Sequence, residues 1–200
     1  MGHTPDSNDK AELILTAAQA HFTQLGYRRT SMDDIARGAG VAKGTLYLYF
    51  ENKAAVFRAM QERNFREAEA RCEAADRDGA SFEERLSGTL TAYFGWIHDN
   101  YGLSEHLLEL GQTRQSVGAD LAERHDRAYA RRLQALIERG VDEGELTLRR
   151  ADLSVSQITE VIVDAARGAK NGASGPVTPA RYNIALKRIA RLAAASLAAV

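Results

Sequence analysis

Two hundred residues with 44% hydrophobic and 26% charged side chains have a globular composition, long enough for one large core or two small ones and too apolar for a disordered chain. The single cysteine, Cys72, excludes an intrachain disulfide and any cysteine-based zinc cluster, which suits a reducing compartment; on a helix it reads as a small buried apolar residue. A net charge of -1, with six basic and six acidic residues in the first 56, does not by itself point to nucleic acid.

Only three prolines, abundant Ala, Leu, Arg and Glu, and no strand-like alternation predict an all-α chain of about nine helices. The most apolar run, Ile189 to Val200, is shorter than the roughly 20 residues of a membrane span and is broken by Arg191. The start, Met1-Gly2, has no signal-peptide pattern, and Asp6 stands where myristoylation needs Ser or Thr. The expected location is cytoplasmic, with no membrane partner.

Residues before about Asp9 read as a frayed arm. Ala11 to Leu25 reads as an amphipathic helix, with Leu13, Ile14, Ala17, Ala18, His21, Phe22 and Leu25 at three- and four-residue spacing, and Gly26 ends it. Tyr27 is expected over a small three-helix core, while Arg28 and Arg29 either touch phosphate or are solvated. Thr30 or Ser31 caps a short second helix with Asp33 and Asp34 in its positive first turn and Ile35 and Ala36 on its buried face. Gly38 to Gly40 stops it, because glycine takes the left-handed conformation that closes a helix, and Val41 then turns inward. Ala42 to Tyr49 forms a third short helix. Two short helices across a tight glycine-bearing turn make a helix-turn-helix, whose second helix enters a major groove.

Asn52 and Lys53 open a long fourth helix with Val56, Phe57, Met60, Phe65, Ala68 and Cys72 inward, ending near Asp78-Gly79. Running from the reading head into the rest of the chain, it is the expected mechanical link between them. Ser81 and Glu84 form a capping box for a fifth helix reaching about Asn100, with Phe82, Leu86, Leu90, Tyr93, Phe94 and Ile97 inward. A sixth runs from Leu103 to about Leu110, and a seventh from about Ser116 to Gly140 with Leu121, Tyr129, Leu133, Leu136 and Ile137 inward. Asp152 caps the eighth, whose Ile158, Val161, Ile162, Ala165 and Ala169 form an apolar seam. Gly168 to Pro176 is the clearest loop, and the last helix, from about Pro179, carries Leu186, Ile189, Ala190, Ala193 and Leu197. Such alanine-rich faces pack either within the monomer or against a second copy.

The segment from Gly26 to Lys53 resembles the DNA-binding domain of the TetR/AcrR family of transcriptional regulators. The matching residues are Gly26-Tyr27, Thr30-Ser31-Met32, Ile35-Ala36, Ala39-Gly40-Val41, Gly44-Thr45-Leu46-Tyr47, Tyr49-Phe50 and Asn52-Lys53, about the first quarter of the chain. The resemblance implies residues 1–53 as a DNA-binding domain and residues 54–200 as a helical domain for effector binding and dimerisation through the last two helices. It also implies double-stranded operator DNA as partner, a small-molecule effector, a homodimer, usually a repressor, and no cofactor.

A groove-reading helix needs small and polar residues at its front and phosphate contacts on both sides. Lys43 can reach a base edge or phosphate, Gly44 lets the backbone approach, and Thr45 can donate to phosphate or touch a thymine methyl. Leu46 and Phe50 face inward. Tyr47 and Tyr49 are either half-buried or at the DNA surface, and the resemblance favours phosphate contact. Lys53 places a charge in the first turn of the fourth helix, where free amides already favour an anion. Thr30 and Ser31 complete the candidate DNA contacts, and Arg37 is either solvated or in the groove.

Between residues 82 and 170, Tyr93, Trp96, His98, His106 and Tyr129 are polar-edged aromatics in apolar helices, a mixture suited to a small apolar or aromatic ligand and equally to a core. An enzyme is the rival class. His98-Asp99, His106 with Glu109, and His125-Asp126 are its candidates, and none has zinc or hydrolase spacing, so no catalytic or metal residue is expected. A protein-interaction adaptor, the third class, predicts no salt-dependent binding to any duplex.

Overall fold

The computed structural model describes residues 7–77, 79–102, 104–149, 151–172 and 175–199. The arm before Ser7, the expected helix end at Asp78, the expected helix start at Leu103 and the terminal Val200 lie outside the described residues. In chain order come α1 (Ser7–Leu25), α2 (Met32–Gly38), α3 (Lys43–Tyr49), α4 (Lys53–Ala75), α5 (Phe82–Leu90), α6 (Trp96–Tyr101), α7 (Leu107–Val117), α8 (Ala119–Asp142), α9 (Val155–Gly168) and α10 (Pro179–Leu197). A π-helical stretch, Thr91–Gly95, joins α5 to α6 without a break, so these form the single fifth helix expected. Among the described residues the fold is all-α apart from two-residue strands β1 (Asn171–Gly172) and β2 (Gly175–Pro176), paired antiparallel inside the expected loop, and a bridge between Leu146 and Ala198.

Two compact units emerge, one of residues 1–65 with 104–123 and one of residues 66–103 with 124–200. In the first, Ile14, Ala18 and Phe22 of α1, Ile35 of α2, Leu46 of α3 and Val56, Phe57 and Met60 of α4 are buried together with Leu110 of α7. Tyr27 covers this core as expected: its ring lies 5.4 Å from Phe22 and 5.3 Å from Phe57, tilted or edge-on, the preferred aromatic geometries. Leu13 and Leu25, expected inward, are exposed, and Leu15 is buried instead. The residues after Gly102 also depart from expectation. Ser104, not Ser116, prepares a helix, its hydroxyl accepting the His106 amide and donating to the Thr23 carbonyl. Ser116 lies in the last turn of α7, and the break falls at Gly118.

In the second unit Cys72, Phe82, Leu86, Leu90, Phe94, Tyr129, Leu133, Ile137, Ile158, Ile162, Tyr182 and Leu186 are buried. The Ser81–Glu84 capping box forms as read. Past it, the π-helical turn inserts an extra residue and moves the inward position by one: Ile97 is exposed, while His98 and Tyr101 are buried. Gly95 sits where a Cβ would run into the Asn183 side chain, so glycine lets α10 approach the π turn closely. Helix α9 is capped by Ser154 in a box with Gln157, while Asp152 stands before it at φ 50° and makes no cap. Thr178 caps α10, with Pro179 at its first position.

A candidate nucleic-acid interface

The reading head is set from its caps upward. The Ser31 hydroxyl accepts the Asp34 amide at 3.1 Å, and the Asp34 carboxylate accepts the Ser31 amide at 3.0 Å. The Ser31 hydroxyl also donates to the Asp34 carboxylate at 2.6 Å, and this bond first, then the one from the Ser31 amide, holds the Asp34 carboxyl below its ordinary pKa. Ser31 is exposed at the start of α2. Thr30 is a correction. It is 1% exposed and its hydroxyl donates to the Gly26 carbonyl at 2.8 Å, so it closes the turn after α1 and has no face for DNA. Gly40, at φ 65°, turns the chain between α2 and α3.

Helix α3 buries Leu46 and presents the remainder of its turn outward. Lys43, Gly44, Tyr47 and Leu48 are exposed, and Thr45 and Tyr49 are half-buried. Nothing lies within 4 Å of the space a Cβ would occupy at Gly44, leaving that surface clear. Lys43 pairs with Asp33 of α2 at 2.8 Å, and that hydrogen bond raises its pKa. An ion pair this exposed is screened by water and contributes little, so the ammonium can exchange this carboxylate for another acceptor. Arg37 is paired with Asp34 at 3.0 Å.

Lys53 is engaged differently. Its ammonium donates to the carbonyl oxygens of Tyr27 at 2.7 Å, Thr30 at 2.8 Å and Arg28 at 3.3 Å, and lies 4.5 Å from the centre of the Tyr27 ring. Burial lowers its pKa, opposed by the charge of Glu109. The lysine therefore ties the α1–α2 turn, and its protons are already shared among three acceptors.

The same turn is held from the other side by α7, which sequence reading did not assign to the head. The Glu109 carboxylate accepts the Arg28 amide at 2.8 Å, and a Cβ at Gly26, whose φ is 82°, would collide with its second oxygen. Arg29 donates to His106 Nε2 at 3.1 Å. Guanidinium only donates, so Nε2 is the acceptor and the ring proton sits on Nδ1, facing Glu109 at 3.7 Å. The cleft beside them, lined by Tyr27, Arg28, Glu109, Gln112 and Thr113, holds about 150 Å³, below the roughly 300 Å³ of an ordinary ligand pocket.

The expected ligand residues divide. His106 belongs to the head, whereas Tyr93, Trp96, His98 and Tyr129 lie in the second unit. Tyr93 and Tyr129 stack at 3.9 Å, with Phe94 edge-on to both. Burial raises the Tyr129 phenol well above its ordinary pKa. His98 is buried against Tyr182 and donates Nε2–H to the Val177 carbonyl at 2.8 Å, a structural use of the ring. Trp96 is half-buried, 5.9 Å from the Arg71 guanidinium. Among the described residues, no three His, Cys, Asp or Glu side chains come together to hold a metal ion, and no helix is long and apolar enough to cross a membrane.

Residues 14–60 match the family model described as bacterial regulatory proteins, tetR family. Over 140 residues, 70% of this chain and 73% of the relative, it is 27% identical to YhgD of Bacillus subtilis, described as an uncharacterized HTH-type transcriptional regulator. The fatty acid metabolism regulator protein of the same species is 28% identical over 138 residues, 66% of this chain and 69% of the relative. A TetR-family transcriptional regulator from Agrobacterium tumefaciens has the same fold, with a TM-score of 0.71 at 19% identity over 94% of this chain and 98% of that one. The capped helix pair, the outward face of its second helix and these likenesses agree: residues 14–60 carry the DNA-binding domain of the tetR family of bacterial regulatory proteins, and the chain is similar to HTH-type regulators of transcription.

Proposed function

We propose that the chain is a homodimeric, cytoplasmic repressor that a small apolar or aromatic effector releases from a pseudo-palindromic operator, with residues 1–53 reading DNA and residues 54–200 serving effector binding and dimerisation. The outward face of α3 carries this reading. Lys43, Gly44, Thr45, Tyr47 and Tyr49 stand on a short helix whose opposite side is pinned by buried Leu46, with Ser31 beside it. Lys53 contributes by holding the turn that sets the angle of this helix. The chain works by binding alone, through equilibria between operator, effector and protein.

Dimerisation is supported by apolar side chains left outside on the last two helices: Val161 of α9 is 61% exposed, and Ile184 and Leu192 of α10 are 51% and 68% exposed. Covering them with a second copy removes that surface from water. The stacked Tyr93–Tyr129 pair with Phe94 supports an apolar effector, and a relative named for fatty acid metabolism is consistent with that class. Sedimentation of wild type and Leu192→Glu, each with and without a duplex selected from a random pool, tests the reading. A dimer that Leu192→Glu dissociates, with loss of duplex binding, is expected. A wild-type monomer bound to DNA sinks the dimer, and a chain that selects no duplex sinks the regulator.

A further inference from the structure

Leu48 is 86% exposed, the most exposed large apolar side chain among the described residues. It sits on α3. Each helical residue turns about 100°, so with Leu46 pointing to the core, Gly44 and Leu48 fall roughly 20° to either side of the outermost line. Lys43 and Tyr47 then lie on one flank, and Thr45 and Tyr49 on the other. The hydrogen-bonding side chains of the helix are thus its flanks, placed for phosphates and groove walls, while the central strip consists of a residue without a side chain and a leucine. With no Cβ at Gly44, and nothing within 4 Å of that position, the leucine is the only group projecting from the strip.

An exposed leucine on this strip meets one projecting apolar group in a major groove, the 5-methyl group of thymine; cytosine has only a C–H at that position, and the other recognition groups on the base edges donate or accept hydrogen bonds. We propose that Leu48 is a specificity-determining residue that reads a thymine 5-methyl group at the centre of each half-site. This rests on the regulator reading above. Base identity at that position is selected by burial of the methyl group, so the DNA face of the helix discriminates thymine from deoxyuridine, which has identical hydrogen-bonding groups.

The test uses the full-length chain and the duplex it selects from a random pool, with each thymine replaced in turn by deoxyuridine. One position per half-site should lose about three- to fivefold in affinity, the worth of one buried methyl group. In the Leu48→Ala variant the same replacement should change affinity by less than 1.5-fold. A wild-type chain that binds its duplex with no deoxyuridine-sensitive position overturns the proposal and leaves the regulator reading intact. Equal sensitivity in wild type and Leu48→Ala also overturns it, assigning the methyl contact to another side chain such as Thr45. A chain that selects no duplex overturns both.

Discussion

The Glu109 carboxylate accepts the backbone N–H of Arg28 at 2.8 Å and fills the space that a side chain at Gly26 would take. A residue of α7 thus fixes the turn from which the helix-turn-helix departs, adding to the bond within the turn from the Thr30 hydroxyl to the Gly26 carbonyl. Gly26→Ala forces a side chain onto a backbone at φ 82°, costing about 1–3 kcal/mol before any collision. Glu109→Ala removes the collision but orphans the Arg28 amide, costing about 1 kcal/mol at this exposed site. The double variant is therefore expected to lose less than the sum of the single losses, by about 1 kcal/mol, in urea unfolding. Strict additivity would show that Glu109 does not pack against Gly26 in solution.

Lys53 gives a prediction in which two roles separate. A lysine that neutralises one phosphate contributes close to one counterion to the salt dependence of binding. A lysine that shares its protons among three carbonyls contributes stability instead. Lys53→Ala is expected to lower unfolding stability by about 2 kcal/mol, from the charge-assisted bonds and the Tyr27 ring contact, while the slope of log affinity against log salt stays at the wild-type value. Weakened binding should come through the head's geometry. A slope reduced by one with unchanged stability would restore the phosphate role.

Glu109 and Lys53 mark where sequence stopped being legible. Local signals carried over because caps and turns are decided by neighbours: Ser81 with Glu84 made its box, and Gly26 and Gly40 took the positive φ that their turns require. The Ser154–Gln157 box was equally visible as a Ser-x-x-Gln pattern, and Asp152 took its place in the reading. Glu109 was not legible, because its partner lies 81 residues away and no local spacing records that distance. Thr30 was ambiguous for a related reason, since a threonine that caps and a threonine that donates back to a carbonyl four residues earlier look alike in sequence. The π turn at Thr91–Gly95 hid in a normal apolar rhythm, and one inserted residue was enough to exchange Ile97 for His98 at the core.

Acid should loosen the chain through three carboxylates. Arg58 binds Asp120 with two bonds of 2.6 and 2.7 Å and holds its pKa well below the ordinary value, while the Ser31 and Ser81 caps lower those of Asp34 and Glu84. A folded pKa below the unfolded one means that the unfolded chain takes up protons first as pH falls. Their contribution is therefore whole above about pH 5 and disappears as pH drops through the lowered folded values. Asp120→Asn should be less stable than wild type in urea at pH 7, and the difference should shrink steadily below about pH 4. A difference that is constant down to pH 2 would show that the Arg58 pair does not set the pKa of Asp120.

The last prediction concerns coupling and uses Trp96, the only tryptophan. It directly follows the π-helical turn that carries the stacked Tyr93, so a ligand entering beside the Tyr93–Tyr129 pair changes the surroundings of the indole and should shift its emission. If effector and operator favour different conformations of the chain, linkage requires each to weaken the other by the same factor. A coupling of about 1–3 kcal/mol corresponds to roughly 5- to 150-fold, well within reach of a Trp96 titration with and without the selected duplex. The expected result is an effector that binds the free chain more tightly than the duplex-bound chain, matched by an equal loss of duplex affinity at saturating effector. A ligand that moves Trp96 emission yet binds both forms equally occupies the domain without releasing DNA, because equal affinity for two states shifts no population between them.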